Sequence, residues 1–158
     1  METMEKYSIA DLAKCYTKPF GGIYVWGVKD GEEYFPLYVG RAKNIPKRIF
    51  EHLGEFAKDE KYTTPSWQDI INPKRDLSQA RYNNDNVKRI KKPDVIEKVL
   101  DNFFCYWKKI PDYPLHQIEE SNLANAIGRE RLISSGYSQQ GVTIPDFIKE
   151  FSFLFKTI

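Results

Sequence analysis

GGIYVWGVKDGEEYFPLYVGRAKNIPKRIFEHL, residues 21–53, contains two runs that are rich in β-branched and aromatic residues. Residues 22–28 form the first run and predict a strand. An Asp-Gly pair at residues 30–31 is a strong signal for a tight hairpin turn. Residues 34–39 then predict the returning strand, which we expect to end at Gly40 because glycine weakens strands. The stretch therefore begins with a predicted β-hairpin.

A helix is predicted directly after the hairpin. Asn44 can cap it, Pro46 is tolerated in a first helical turn, and Gly54 predicts its end. Arg48 and His52 are four residues apart, so they share one side of this helix. Ile45, Ile49 and Leu53 share a different, apolar face at helical spacing.

The rest of the chain adds helices and one more strand to this unit. Residues 55–92 are irregular, with prolines and scattered charge, and predict only short helices near residues 67–71 and 77–82. The other predicted elements are helices at residues 8–16, 94–100 and 115–134 and a strand at residues 103–110. We therefore predict one domain over residues 1–158, with an irregular insert at about residues 55–100. Its fold class is α+β: a small three-stranded, mainly antiparallel sheet flanked by helices.

Composition excludes several classes of protein. The 158 residues are 41% hydrophobic and 29% charged, which is typical of an ordinary globular domain. No stretch approaches the apolar length of a membrane span, so we expect no membrane association. The 2 cysteines are too few for a disulfide framework and have no metal-binding spacing, so a cytoplasmic location is expected.

Positive charge is concentrated in two places, although the net charge is only +2. Such clusters are either solvated surfaces or surfaces that follow a phosphate backbone. The predicted nucleic-acid-binding residues are Arg41, Lys43 and Lys47 beside the hairpin, and Lys88, Arg89, Lys91 and Lys92 in the insert.

Four features of the hairpin and helix together resemble the GIY-YIG nuclease family, including its excision-repair members. The tripeptide at residues 22–24 is Gly-Ile-Tyr, and the one at residues 38–40 is Tyr-Val-Gly, with valine for the usual isoleucine. Arg48 stands at the position of the family's arginine. His52 stands one turn later, where many members have a histidine. The ordered set is considerably more specific than either tripeptide alone.

The family also has a glutamate on a helix that follows a third strand. Glu119, followed by Leu123, lies in an apolar-Glu-x-x-x-apolar setting. Glu120 is its rival, and Glu130 is a third, more distant alternative. The family commonly has an asparagine about a dozen residues beyond the glutamate, and the chain has none at that spacing. This departure favours a degenerate member of the family as one alternative.

The resemblance implies hydrolysis of phosphodiester bonds. It implies Tyr24 as general base or water-orienting group, Tyr38 in support, and His52 relaying or positioning a proton. Arg48 would bind the scissile phosphate, for which the guanidinium fork is well shaped. Glu119 would bind Mg²⁺ or Mn²⁺, and one carboxylate is sufficient because Mg²⁺ retains several waters.

The leading hypothesis is therefore a metal-dependent DNA endonuclease. A restriction-type enzyme would dimerise and use residues 55–100 to read bases. A repair enzyme would recognise DNA shape and require a protein partner. RNA is a further possible substrate. The alternative from another class is a degenerate module that binds nucleic acid or protein without cutting.

Overall fold

The computed structural model describes residues 5–7, 9–58, 66–74, 76–77, 93–132 and 134–135. The sheet strands are β1 (Glu5–Tyr7), β2 (Gly22–Asp30), β3 (Glu33–Ala42), β4 (Phe103–Lys109) and β5 (Ser134–Ser135). The helices are α1 (Ile9–Cys15), α2 (Ile45–Lys58), α3 (Trp67–Ile70), α4 (Pro93–Asp101) and α5 (Tyr113–Ile127). A 3₁₀ turn, Arg129–Arg131, follows α5.

The three long strands form an antiparallel sheet with β2 in the centre. The strand order is β1-β4-β2-β3-β5, in which β1 is antiparallel to β4 and the two-residue β5 is parallel to β3. Gly22 of β2 pairs with Ala42 on one side and with Lys109 on the other. The prediction of a small α+β fold with a three-stranded, mainly antiparallel sheet is confirmed; the two short edge strands were not predicted.

Side chains alternate between the two faces of a strand, and each face of this sheet supports its own core. Tyr24, Trp26 and Tyr38 belong to the core that contains the α2 residues Ile45 and Ile49. The other core, on the opposite face, joins Ile23, Val25 and Val39 to the α5 residues Leu123, Ala124 and Ile127. The α2 face and the α5 face are therefore separated by the sheet.

The hairpin is longer than the sequence predicts. The strands continue to Asp30 and begin again at Glu33, so Gly31 and Glu32 form a two-residue loop. Gly31 has a φ of 59°, the left-handed conformation that such loops require and that glycine adopts without strain. The prediction that Gly40 ends β3 is wrong, because Gly40 pairs with Tyr24 and the strand continues to Ala42.

Helix α2 begins as predicted and ends later. The Lys47 amide donates to the Asn44 side-chain oxygen at 3.2 Å, which is the expected N-terminal cap. Gly54 does not stop the helix, since α2 continues to Lys58. Glycine is tolerated within a helix whose apolar face is packed. Helix α5 ends at Gly128, with a φ of 97°, instead of continuing to residue 134.

Replacing Gly54 with alanine is expected to stabilise the protein. A Cβ at Gly54 would meet no atom within 4 Å, so the new methyl group has room. Alanine is favoured over glycine in a helix interior by about 0.5–1 kcal/mol, and we expect a rise of that size in the free energy of unfolding. Denaturant unfolding followed by circular dichroism measures it; a loss of stability would contradict the helical assignment of residue 54.

The single-domain organisation over residues 1–158 stays a prediction, as does the insert. The first predicted short helix of the insert is present as α3, and the second, at residues 77–82, lies almost entirely outside the described residues. In the described part of the chain, no helix is both long and apolar enough to cross a membrane.

Candidate active site

The two motif tyrosines lie in one group of stacked rings on the α2 face. The Tyr24 and Tyr38 ring centroids are 5.9 Å apart with an interplanar angle of 12°. The Tyr38 and Trp26 centroids are also 5.9 Å apart, at 10°. His52 of α2 contacts Tyr38 at a centroid distance of 4.2 Å. We call Tyr24, Tyr38, Arg48 and His52 the tyrosine cluster.

Gly40 makes room for the Tyr24 phenol. A Cβ at Gly40 would lie 2.5 Å from the Tyr24 hydroxyl oxygen and 2.7 Å from Cε1 of Tyr38. A Cβ atom does not make contacts this short, so no side chain fits while the two rings keep their positions. Gly40 therefore allows the close approach of the Tyr24 side chain and does not mark the end of β3.

Arg48 brings positive charge to the two phenols. Its guanidinium Nη1 donates a hydrogen bond to Glu51 Oε2 at 3.0 Å, and the side chain is 41% exposed. Partial burial acts to lower the pKa of Arg48, but the Glu51 hydrogen bond and the proximity of Tyr24 and Tyr38 outweigh it, so the pKa is raised. Arg48 is therefore charged, close to the phenols, and accessible to an anion from solvent.

Tyr24 is 1% exposed, and burial makes it a weak acid. Burial raises the pKa of its phenol well above 10; the Tyr38 phenol contributes in the same direction, and the Arg48 charge opposes both. No described residue forms a hydrogen bond of regular geometry with the Tyr24 hydroxyl, although Tyr38 is near enough to affect its pKa. In this state Tyr24 is a neutral hydrogen-bond donor at pH 7, rather than a base.

This raised pKa predicts a specific sensitivity to alkali. The folded protein keeps the Tyr24 proton above pH 10, where the unfolded chain loses it, so stability falls as pH rises beyond about 10. In Tyr24→Phe we expect the free energy of unfolding to fall less steeply above pH 10 than in wild type, by up to about 1.4 kcal/mol per pH unit. Denaturant unfolding at neutral and alkaline pH measures the difference, with Tyr16→Phe, at a 48% exposed tyrosine, as control. Equal alkaline losses in wild type and Tyr24→Phe would contradict the assignment.

The candidate glutamates lie on the other face of the sheet. Glu120 is 4% exposed and its Oε2 accepts from Arg41 Nε at 3.1 Å. Arg41 pairs with Ile23 in the hairpin, so both belong to the α5 face. The tyrosine cluster therefore brings together the phenols, the guanidinium and the imidazole of the predicted site, but no carboxylate from α5. Glu119 and Glu120 lie across the sheet from Tyr24.

Glu119 has the more available carboxylate. Its Oε2 is buried, and no residue in the described ranges donates a hydrogen bond to it. Burial raises the pKa of Glu119, and the charge of Lys108 partly opposes that rise. Asn122, three residues later and thus on the same side of α5, is 2% exposed, and its amide likewise lacks a hydrogen-bond partner among described residues. Two unsatisfied oxygens, one carboxylate and one amide, can serve as ligands for a hard cation.

The predicted nucleic-acid-binding residues have different surroundings. Arg41 is held by Glu120, whereas Lys47 is exposed on α2. Lys43, directly after β3, lies with its ammonium 4.6 Å from the centre of the Tyr113 ring. The second basic cluster, Lys88, Arg89, Lys91 and Lys92, lies outside the described residues.

Sequence reasoning did not identify three residues near these sites. Trp26 extends the ring stack, and the alternation of β2 could have placed it beside Tyr24. Lys109 and His116 border the start of β2 only because β4 pairs with it, and no local pattern signals that contact.

Comparisons of the chain with protein-family models, curated proteins and solved structures find no match.

Proposed function

We propose that the protein is a divalent-metal-dependent endonuclease of the GIY-YIG type that hydrolyses phosphodiester bonds in DNA. One observation carries the proposal: Tyr24, Tyr38, Arg48 and His52 come from two strands and a helix and form one compact cluster. A sheet needs aromatic residues for packing, but packing does not require an arginine beside two stacked phenols. The cluster combines hydrogen-bond donors with a cation, which phosphoryl transfer requires.

The burial of the cluster suggests a distribution of roles. Arg48 is the group that reaches solvent, so its guanidinium binds the scissile phosphate and neutralises charge in the transition state. Tyr38 is 9% exposed and Tyr24 only 1%, so Tyr38 is the phenol nearer to a bound substrate. Tyr38 then orients the attacking water, Tyr24 supports it from beneath, and His52 fixes the Tyr38 ring.

Glu119 and Asn122 are the described residues that would hold a single Mg²⁺ or Mn²⁺ ion. Glu119 supplies an unsatisfied carboxylate oxygen and Asn122 an unsatisfied amide oxygen, whereas Glu120 is already paired with Arg41. No group of three or more His, Cys, Asp or Glu ligands occurs among the described side chains, which is compatible with Mg²⁺ because it keeps most of its waters. When bound, such an ion would polarise a phosphate and stabilise the leaving oxygen.

Substitutions of the two glutamates test which of them binds the metal. Substituting Glu119 with glutamine is expected to abolish metal-dependent cleavage. It should leave the free energy of unfolding at neutral pH unchanged or slightly higher, because a charge whose pKa is raised by burial is removed. Glu120→Gln is the matched variant: it breaks the ion pair with Arg41, and we expect about 1–3 kcal/mol of destabilisation. Chemical denaturation and a metal-dependent cleavage assay measure both; normal cleavage by Glu119→Gln would exclude Glu119 as the metal ligand.

The second candidate is a degenerate GIY-YIG-type module that binds nucleic acid or protein without cutting. It is favoured by the position of α5, since the carboxylates lie across the sheet from the phenols. It is also favoured by the neutral state of the buried Tyr24. Tight retention of DNA with no metal-dependent turnover would support this candidate.

Incubation of the purified protein with supercoiled DNA, branched DNA and RNA, each with Mg²⁺ and with EDTA, tests the proposed function. We expect DNA cleavage only with the metal. Discrete fragments would indicate a restriction-type enzyme, which we expect to be a homodimer. Cutting confined to flaps or junctions would indicate a repair role with a protein partner.

A cytoplasmic location stays part of the proposal, consistent with two cysteines that form no disulfide.

A further inference from the structure

A pocket opens at the end of the sheet where β2 begins. Its volume is about 440 Å³, within the roughly 300–1,000 Å³ range of small-molecule sites. The lining comes from four parts of the chain that the sheet brings together: Phe20 and Gly21 before β2, Lys43 after β3, Lys109 at the end of β4, and Tyr113 and His116 at the start of α5. A built site is therefore formed from residues that are far apart in the sequence.

The walls combine two cations with two aromatic rings. The Lys43 ammonium lies 4.6 Å from the centre of the Tyr113 ring, and the Lys109 ammonium lies 5.0 Å from the centre of the Phe20 ring. Tyr113 is 46% exposed, so its ring can accept a stacked partner. Ammonium groups attract phosphate, and exposed rings stack on bases. The pairing of both features in one pocket matches the two halves of a nucleotide.

His116 provides a buried polar group of which only one ring nitrogen has a hydrogen-bond partner among the described residues. It is 2% exposed, its ring lines the pocket, and its Nε2 bonds the Ile110 carbonyl oxygen at 2.5 Å. Because a carbonyl only accepts, Nε2 carries the hydrogen. Nδ1 is buried and has no partner among the described residues. A buried ring nitrogen without a partner is costly, and a ligand in the pocket would satisfy it.

The position of the pocket relates it to the tyrosine cluster. Three residues of chain, about 10 Å, separate Gly21 from Tyr24. The pocket also joins the two faces of the sheet, because Phe20 packs on the α2-face core and His116 belongs to α5. Gly21 keeps this junction open: a Cβ there would lie 3.3 Å from the His116 ring carbon Cε1 and 3.1 Å from the Ala42 carbonyl oxygen.

We propose that this pocket is a subsite for one nucleotide of the substrate strand next to the scissile phosphate, a proposal that rests on the proposed function. The phosphate lies between Lys43 and Lys109, the base stacks on Tyr113, and Nδ1 of His116 makes a hydrogen bond with the nucleotide. The subsite fixes the strand beside the tyrosine cluster and contributes to substrate affinity, without taking part in the chemistry.

Titration of the full chain in EDTA with a nucleoside 5′-monophosphate, the unphosphorylated nucleoside and inorganic phosphate tests the subsite independently of cleavage. Calorimetry measures affinity, and tryptophan fluorescence reports occupancy, because Trp107 packs on Phe20 at 4.9 Å. We expect saturable binding of the monophosphate, at least about tenfold tighter than binding of the nucleoside or of inorganic phosphate. Phosphate that binds as tightly as the monophosphate would overturn the proposal, as would a lack of saturable binding.

Two variants locate the binding. Lys109→Ala changes an exposed side chain, and we expect it to weaken monophosphate binding at least about tenfold, as does His116→Gln if the variant remains folded by circular dichroism. Lys74→Ala, at an exposed lysine outside the pocket, is the control and should leave affinity unchanged. Unchanged affinity in Lys109→Ala would overturn the proposal.

In a cleavage assay, Lys109→Ala should raise KM and leave kcat unchanged. Monophosphate binding without any DNA cleavage would contradict the proposed endonuclease function, but it would still support nucleotide binding by the pocket.

Discussion

Replacing Arg48 with alanine is expected to reduce the rate of metal-dependent DNA cleavage by about 100- to 1,000-fold, the usual effect of removing one donor that stabilises transition-state charge. Arg48 is the member of the tyrosine cluster that combines a permanent charge with access to solvent. Single-turnover cleavage of a DNA substrate at saturating Mg²⁺ measures the chemical step. We expect the free energy of unfolding to change by less than about 1 kcal/mol, because the Glu51 pair is half-exposed and between neighbouring turns.

Glu51→Ala separates the catalytic effect from the loss of this ion pair. It removes the same hydrogen bond but leaves the guanidinium, so the cleavage rate should stay at the wild-type level or rise. Arg48→Lys keeps the charge and loses the planar fork, and we expect a rate between those of wild type and Arg48→Ala. If Arg48→Ala cuts within about tenfold of wild type, a loss below about 1.4 kcal/mol in the barrier, the proposed function is wrong.

Replacing Gly40 with alanine is expected to cost about 2 kcal/mol or more in stability, which is large for the addition of one methyl group. Its Cβ would overlap the Tyr24 hydroxyl oxygen at 2.5 Å and the ring carbon Cζ at 2.6 Å. Tyr24 has little room to move aside, because it is 1% exposed and stacks on the Tyr38 ring. Overpacking of a filled core typically costs about 1–3 kcal/mol. Denaturant unfolding of both proteins measures the change.

Gly54→Ala is the matched control, since it makes the same substitution where a Cβ meets nothing. The two variants should change stability in opposite directions. The double variant Gly40→Ala with Tyr24→Phe should recover part of the loss, because the hydroxyl oxygen is one of the three overlapping atoms. Gly40→Ala with wild-type stability would show that the phenol does not occupy the space over Gly40.

The hairpin and helix α2 were predictable because their signals are local. An Asp-Gly turn, alternating aromatic residues and an asparagine cap each act over a few residues, and together they predict β2, β3 and α2. The ends of these elements were less predictable. Gly40 and Gly54 look like breakers, but tertiary packing keeps one within a strand and the other within a helix. Propensity is a weak guide where packing decides.

The two sides of the candidate site differ in the same way. Tyr24, Tyr38, Arg48 and His52 were predicted together, and they lie together because the hairpin register and one helix are sufficient to align them. The position of α5 depends on how β4 pairs with β2, which is a contact between distant parts of the chain. No local pattern states on which face of the sheet a later helix packs, so the separation of Glu119 from the phenols was not foreseen.

The central position of β2 also has a kinetic consequence. Its pairing with β3 closes a two-residue loop, whereas its pairing with β4 must close a loop that contains α2, α3 and α4. Short-range contacts form early in folding, and loop-closure entropy delays long-range ones. The tyrosine cluster can thus assemble in a nascent, half-built sheet, while the pocket lined by Lys43, Lys109 and His116 forms only when the last long strand docks.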